Sequence, residues 1–246
     1  MKPAPDLRAT ALPPDLSTLP GQSVAAIDTP ALVIDLDAMD RNLARMTAFA
    51  RSHNIRLRPH AKMHKSAALA RLQMQTGAVG VCVQKTSEAE AMAAGGVSNI
   101  YISNEVIAPH KLRRVAVLAR ALAASGGRLA IAVDSQEGIA RLAAALEESD
   151  PDHGATSPVM DVFIEIDIGQ GRCGVPPGPA AVALAQAIAA QPGLRFAGLQ
   201  AYHGRAQHLR GAEERRDAIV RATDDTRRTR ALIEAVGLPV DLVTGA

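Results

Sequence analysis

Residues 99–134, NIYISNEVIAPHKLRRVAVLARALAASGGRLAIAVD, decide the fold class of this 246-residue chain. Isoleucine and valine recur at the two ends of the stretch, Asn99–Asn104 and Arg128–Asp134, whereas its middle is rich in alanine, leucine and arginine. The ends therefore predict strands and the middle predicts a helix. A strand, a helix and a second strand at this spacing form a βαβ unit, in which the two strands run parallel.

The same alternation continues outward in both directions. Six further strand-like runs are separated by segments of mostly helical character: Ala31–Leu36, Ile55–Ala61, Ala78–Gln84, Met160–Ile168, Leu194–Tyr202 and Pro239–Thr244. Eight such units predict an α/β protein with a (β/α)8 barrel of the TIM type. In these barrels the chemistry collects on the loops that follow the C-terminal ends of the strands.

Local signals place helices between the strands. Met39, Leu43, Met46 and Phe49 recur at spacings of four and three, which predicts an apolar stripe along one helix. The segment Ser87–Glu90 has the spacing of a capping box and predicts the start of another helix.

Composition narrows the functional class. The chain has 27 Lys and Arg against 25 Asp and Glu, interspersed in sign, and no Trp, two Tyr and three Phe. Nucleic-acid binding is therefore not expected, because it needs a basic surface and, for single strands, aromatic platforms. No apolar run approaches the roughly 20 residues that cross a bilayer. We expect a small-molecule partner.

The N-terminus and the cysteines suggest domain organisation and location. Five prolines fall within the first 28 residues, which predicts an extended arm at residues 1–28 before a barrel domain at residues 29–246. Cys82 and Cys173 are too few for a disulfide framework and lack the spacing of a zinc site. They fit a reducing compartment, so we expect a cytoplasmic protein.

A cationic face is predicted next to one lysine, in the segment RPHAKMHK at residues 58–65. Side chains alternate along a strand, so Arg58, His60 and Lys62 share a face. A second positive charge favours the neutral amine of a neighbouring lysine, and a neutral amine attacks an aldehyde to form an imine. The segment therefore predicts a Schiff-base lysine at Lys62, with a solvated basic strand end as the alternative.

Two further segments add polar groups at the same predicted rim. Arg172 lies in a glycine-rich loop, where its guanidinium would reach an anionic oxygen of a ligand. Gln200 and Tyr202 share a strand face and would both point toward the barrel mouth. His203 and His208 have no carboxylate or third histidine at suitable spacing, so orienting or acid-base roles are preferred to metal binding.

Five co-linear motifs resemble a known family: RPHAKMHK at 58–65, VCVQKTSE at 81–88, ISNE at 102–105, EIDIGQGRCGV at 165–175 and GLQAYHG at 198–204. They are similar to those of the D-threonine aldolase and 3-hydroxy-D-aspartate aldolase family, whose members are pyridoxal phosphate enzymes with the alanine racemase-like fold. The match runs in order through residues 29–246.

The resemblance implies a cofactor and a set of roles. Lys62 would form the Schiff base with pyridoxal phosphate, Arg172 would lie near the cofactor's ring hydroxyl, and Tyr202 would hydrogen-bond at the ring side. Gln84 and His60 would line the pocket, and the expected catalytic residues are Lys62, His60 and Tyr202. The implied reaction is retro-aldol cleavage of a D-3-hydroxy-amino acid to glycine and an aldehyde.

The resemblance also implies that part of the family pattern is missing. In the family, Ala31–Leu36 belongs to a second domain, and Pro239–Thr244 is barrel strand seven. A phosphate-binding loop, an eighth strand and a β-rich C-terminal domain would follow, leaving only Thr244 and Gly245 for the phosphate. We therefore expect an incomplete alanine racemase-type barrel with impaired activity.

The family's metal and assembly state are further expectations. Its divalent metal, of the Mn or Mg type, is held by a histidine and an aspartate in that C-terminal domain, so no ligand is assigned here. The family places its active site where two subunits meet, so a homodimer is expected.

The sequence also allows three other interpretations. The chain could be a pyridoxal phosphate-binding homeostasis protein without catalysis, a D-serine or hydroxyaspartate dehydratase, or a structural α/β domain without cofactor. An aldolase releases glycine and an aldehyde, whereas the dehydratases release a keto acid and ammonia. Product analysis would therefore separate the two enzyme classes.

Overall fold

The computed structural model describes residues 19–149 and 160–245. The described residues divide into two compact units between residues 44 and 45. The predicted N-terminal arm lies mostly outside the described residues, and its described part contains a short 3-10 helix at Val24–Ala26. The boundary at residue 28 stays a prediction. The sequence also predicts a long, irregular insertion at residues 151–158, and this segment lies outside the described residues.

Strands and helices alternate along the chain. The helices are α1 Leu36–Ser52, α2 Ala67–Gln75, α3 Thr86–Ala94, α4 Pro109–Ala124, α5 Gln136–Glu148, α6 Pro179–Ala189 and α7 Ala212–Ala235. The strands are β1 Val81–Val83, β2 Asn99–Glu105, β3 Arg128–Val133, β4 Met160–Glu165, β5 Leu194–Gln200 and β6 Leu242–Thr244. No helix of the described residues is long and apolar enough to cross a membrane.

The six described strands form one sheet in chain order, and every neighbouring pair is parallel. Each pair is joined by a helical crossover, as parallel pairing requires. The unit β2–α4–β3 confirms the βαβ prediction made from residues 99–134. All C-terminal strand ends consequently lie at one edge of the sheet, where the polar residues were predicted to meet.

The sheet is strongly curled. The hydroxyl of Tyr101 on β2 donates a hydrogen bond to the side-chain amide oxygen of Gln200 on β5. In a flat sheet these strands would be separated by three spacings, about 14 Å, which two side chains of one face could not bridge laterally. The inner faces of β2 and β5 therefore turn toward each other, and the strands form an arc of an α/β barrel.

The two faces of the sheet carry different cores. Alternate residues such as Ile100, Ile131 and Ile164 are buried on the outer face, among the residues of the helices. The inner face holds a smaller cluster with one residue from each of β1 to β5: Cys82, Tyr101, Ala132, Phe163 and Ala197. The predicted α/β barrel architecture is confirmed, although eight strands and a closed barrel are not found among the described residues.

The prediction of a strand at Ala31–Leu36 is wrong. Residues 31–35 form no strand, and α1 begins at Leu36. A side-chain oxygen of Asp35 accepts a hydrogen bond from the backbone N–H of Ala38 at 2.9 Å, which is a helix cap. The cap starts the helix only after Leu32, Val33 and Ile34, which are exposed and pair with no strand among the described residues. The residues of the predicted apolar stripe lie on helix α1 as expected. However, the side chains of Met46 and Phe49 are about half exposed.

The prediction of a continuous strand at Ile55–Ala61 is also wrong, although the segment lies where it was expected. It pairs with the β1 segment through a single parallel bridge, His60 with Cys82. The Pro59 carbonyl accepts from the Cys82 N–H at 2.8 Å, and the Ala61 N–H donates to the Cys82 carbonyl at 2.7 Å. Proline has no N–H of its own, which explains why the ladder is short.

The capping box predicted at Ser87–Glu90 is displaced by two residues. Helix α3 begins at Thr86, with Lys85 as its N-cap and Glu88 at the third helical position. Glu88 therefore takes the role that the sequence pattern assigned to Glu90.

Candidate active site

A cavity of about 340 Å³ lies at the C-terminal edge of the sheet. All seven predicted site residues line it: His60, Lys62, Gln84, Arg172, Tyr202, Thr244 and Gly245. Five further residues complete the lining: Arg58, Cys82, Tyr101, Ser103 and Gln200. The curl of the sheet brings together the two ends of the described domain, which lie more than 180 residues apart in sequence.

Lys62 lies in a turn that follows the His60 bridge and is exposed at the cavity. It forms no salt bridge with any described residue. The Nδ1 atom of His60 accepts from the backbone N–H of Lys62 at 3.3 Å, so the ring proton is assigned to Nε2, 3.3 Å from the Ser103 hydroxyl. Burial, followed by the nearby charge of Lys62, lowers the pKa of His60. His60 is therefore neutral near pH 7 and orients the turn that carries Lys62.

Arg172 is held in place by the glycine-rich loop that follows β4. A carboxylate oxygen of Asp167 accepts the N–H groups of Gly169 and Gly171 at 3.0 and 2.9 Å. The loop brings the guanidinium carbon of Arg172 to 5.5 Å from the ring centroid of Tyr202, a cation–π contact. Both residues thus lie at the predicted rim, and the structure adds that they are in contact.

A buried polar network includes part of the cavity wall and was not predicted. The Tyr101 hydroxyl donates to the Gln200 amide oxygen, and the Gln200 amide nitrogen donates to Oε2 of Glu165. Oε1 of Glu165 lies 4.0 Å from the Arg172 guanidinium. The network therefore ties two cavity-lining residues, Gln200 and Arg172, to one buried carboxyl group.

Glu165 was missed because it sits in the apolar run MDVFIEIDI at residues 160–168. Its one signal in the sequence was the presence of a carboxylate among apolar residues. Charged residues are rarely buried without a partner, so this position indicated a buried polar contact. Burial, followed by the neighbouring Glu105 carboxyl, raises the pKa of Glu165 to about 8. Gln200 and Arg172 act in the opposite direction. Glu165 therefore holds a proton at neutral pH.

This raised pKa predicts how stability responds to the substitution Glu165→Gln. Between its ordinary value of 4.5 and about 8, Glu165 binds more protons in the folded than in the unfolded state. The free energy of unfolding of the wild type therefore falls as pH rises through that interval, and a glutamine removes this loss. We expect Glu165→Gln to gain about 4 kcal/mol relative to the wild type between about pH 5 and pH 9.

Urea unfolding at the two pH values measures this difference. The matched control is Glu147→Gln, which removes an exposed carboxylate from α5. A stability difference between Glu165→Gln and the wild type that does not change with pH would show that Glu165 is ionised in the folded protein at both pH values.

The far end of the cavity is closed by the last strand. Thr244 ends β6, and its carbonyl accepts from the Ala201 N–H at 2.7 Å. A Cβ added to Gly245 would lie 2.1 Å from the Ala201 carbonyl oxygen, so the close approach requires glycine. Thr244 and Gly245 therefore present backbone and hydroxyl groups where the family resemblance implied phosphate contacts.

The described residues contain no group of three or more His, Cys, Asp and Glu side chains that could hold a metal ion. His203 is buried and packs against Gly169, where an added Cβ would lie 2.7 Å from its Nε2 atom. His208 is exposed at the end of a 3-10 helix, Gly204–His208. Cys82 and Cys173 are both free.

Comparisons with known proteins identify one family and several similar proteins. Residues 34–238 match the family described as alanine racemase, N-terminal domain. The chain is 41% identical over 232 residues to the 3-hydroxy-D-aspartate aldolase of Paracoccus denitrificans (strain Pd 1222), covering 94% of this chain and 57% of that protein. The crystal structure of D-threonine aldolase from Filomicrobium marinum superposes with a TM-score of 0.82 at 48% identity, covering 91% of this chain and 57% of that one.

A more distant relative is the D-threo-3-hydroxyaspartate dehydratase of Delftia sp. (strain HT23), 32% identical over 224 residues. That match covers 90% of this chain and 56% of the dehydratase. The chain thus spans little more than half the length of these relatives.

Proposed function

Because the chain belongs to the family of alanine racemase N-terminal domains, we propose that its cavity binds pyridoxal phosphate through a covalent bond to Lys62. We further propose that it is the cofactor-binding part of an aldolase that cleaves D-threonine or 3-hydroxy-D-aspartate type substrates to glycine and an aldehyde. The observation that carries the proposal is the convergence of Lys62, Arg172 and Tyr202 in one cavity.

The residues present fit this cofactor. The cavity, about 340 Å³, lies within the range of about 300 to 1,000 Å³ usual for small-molecule sites. Arg172 and Arg58 offer positive charge to an anionic ligand, and Lys62 offers an amine without a salt-bridge partner among the described residues. Thr244 and Gly245 offer a hydroxyl group and a closely packed backbone at the other end.

When bound, pyridoxal phosphate supplies an electron sink for the carbanion left at Cα. The protein's own groups bind and orient. Lys62 would provide the attachment, and Arg172, in contact with the Tyr202 ring, would offer its positive charge to an anionic ring oxygen. A Cβ on Gly204 would lie 2.4 Å from the Tyr202 hydroxyl, so the following loop fixes the position of that hydroxyl. Tyr202 then holds a proton at a defined point of the cavity.

His60 has a different proposed role from the one expected from the resemblance. Its Nδ1 lone pair is already used by the Lys62 N–H, and its Nε2 faces Ser103. Neither ring nitrogen has a lone pair free to accept a proton from a substrate. We therefore propose that His60 positions Lys62, whereas Tyr202 is the group that contacts the reacting atoms.

Three further properties are proposed: the assembly state, the cellular location and a metal requirement. A homodimer is proposed from the family resemblance, and a cytoplasmic location from the two free cysteines, Cys82 and Cys173. A divalent metal of the Mn or Mg type is a prediction for longer relatives, since the described residues offer no ligand group. None of the proposed residue roles depends on this metal.

The aldolase reaction is favoured over the dehydratase reaction by the degree of similarity. Identity is 41% to the 3-hydroxy-D-aspartate aldolase and 32% to the dehydratase. Incubation of the cofactor-loaded protein with D-threonine and 3-hydroxy-D-aspartate is expected to release glycine and an aldehyde. Release of a keto acid and ammonia instead would reassign the chain to the dehydratases.

The binding step is tested by titrating the purified chain with pyridoxal phosphate and recording its visible absorbance before and after borohydride. We expect a saturable band that borohydride removes while the cofactor stays attached to the protein. The absence of such a band in protein shown by circular dichroism to be folded would overturn the proposal for this chain.

A further inference from the structure

The turn that carries Lys62 is closed by Lys65. The Lys65 N–H donates to the Ala61 carbonyl at 2.7 Å, so the chain reverses around Lys62. Lys65 has a φ of 53°, in the left-handed region. That conformation is unfavourable for a residue with a Cβ and persists only where surrounding contacts hold it.

Those contacts come from Glu88 on α3, whose side chain is only 9% exposed. Its Oε1 atom pairs with the Lys65 ammonium at 2.5 Å. Its Oε2 atom accepts the N–H groups of Gln84 and Lys85 at 2.9 and 3.2 Å. Burial acts to raise the pKa of Glu88, but these hydrogen bonds outweigh it and the pKa is lowered. Glu88 is therefore an ionised, fully engaged carboxylate.

One carboxylate thus connects two walls of the cofactor cavity. On one side it holds Lys65, three residues after Lys62, and on the other it holds the backbone of Gln84. Lys62 and Gln84 both line the cavity. A fully exposed ion pair would be worth little, but here one partner is buried and has its orientation fixed by two backbone donors.

We propose that Glu88 and Lys65 are positioning residues for the attachment lysine: together they fix the 61–65 turn so that the Lys62 amine faces the cofactor. This role rests on the proposed covalent attachment at Lys62. Neither residue is proposed to touch the cofactor. Their effect is expected on the rate at which Lys62 bonds to it, because small displacements of a reacting group carry large kinetic costs.

The test compares four variants, including Glu88→Gln alone, with the wild type by stopped-flow absorbance at saturating pyridoxal phosphate. Lys65→Met keeps the aliphatic stem but removes the ion pair, and we expect attachment to slow roughly tenfold. Lys65→Arg can still pair with Glu88 and should stay within about twofold of the wild type. In Lys65→Met combined with Glu88→Gln, we expect no further slowing than in the slower single variant, because the pair acts as one unit.

The matched control is the Arg114–Glu90 pair, which joins the same helix α3 to α4 and is partly exposed on both sides. It contributes no residue to the cofactor cavity. Arg114→Met should leave the attachment rate unchanged. Thermal unfolding of each variant shows whether slower attachment comes from a destabilised fold. Lys65→Arg would also restore an attachment rate that was lost in this way.

The outcomes separate the two proposals. Attachment in Lys65→Met at the wild-type rate, or equal slowing in Arg114→Met, would overturn the positioning role while leaving the cofactor site intact. Slowing in Lys65→Met under conditions where thermal unfolding shows this variant to be fully folded, with rescue by Lys65→Arg, would establish it. Failure of the folded wild type to attach the cofactor would overturn the proposed function itself, and the positioning role with it.

Discussion

The Lys62→Ala variant is expected to lose the borohydride-reducible cofactor band completely, with cofactor affinity reduced at least about 100-fold. The covalent bond is proposed to form at this amine alone, and the remaining cavity groups would hold the cofactor only by noncovalent contacts. Lys62 is exposed and forms no salt bridge with a described residue, so its truncation should leave the fold unchanged.

The measurement is an absorbance titration of Lys62→Ala beside the wild type. Lys111→Ala is the matched control, because Lys111 is an exposed lysine on α4 outside the cofactor cavity. The control should titrate as the wild type does. A reducible band of normal intensity in Lys62→Ala would place the attachment elsewhere and contradict the proposed site.

Gly198→Ala is expected to have the largest effect on stability, about 4 kcal/mol or a complete failure to fold. Gly198 pairs with Leu242 between β5 and β6, and it has a φ of 140°. An added Cβ would lie 1.8 Å from the Leu242 carbonyl oxygen, which is a backbone atom of the neighbouring strand. The two strands would have to separate, which would displace Thr244 and open the end of the cavity.

Gly126→Ala provides the control for backbone strain alone. Gly126 has a φ of 75°, but an added Cβ there meets nothing within 4 Å. Its cost is expected to be about 1 kcal/mol, from conformation only. Urea unfolding of both variants measures the difference in the free energy of unfolding. Similar losses of stability at the two positions would show that β5 and β6 do not approach each other closely at Gly198.

The alternation of strands and helices could be predicted because the pattern of each element is local. The unit at residues 99–134 forms as its sequence indicates, and the polar residues at the strand ends meet at one edge. The two wrong strand predictions have different physical reasons. The apolar residues at 31–35 find no partner strand among the described residues, which a local pattern does not reveal, and Pro59 interrupts the hydrogen-bond ladder of the second segment.

The buried network could not be predicted, because it depends on the curl of the sheet. Tyr101 and Gln200 lie 99 residues apart, and Glu165 and Gln200 lie 35 residues apart. No pattern along the chain indicates that strands three positions apart face each other. Seven site residues were predicted to lie together, whereas the carboxyl group that holds two cavity-lining residues in place was visible only in three dimensions.

Peptide mapping of the borohydride-reduced complex tests the central claim most directly. The chain has five lysines, at positions 2, 62, 65, 85 and 111, and each is a possible attachment point. Mass spectrometry of the digested protein should find the reduced cofactor on Lys62 alone, at one equivalent per chain. Modification of another lysine, or modification distributed among several, would contradict the assignment of Lys62 as the residue that holds the cofactor.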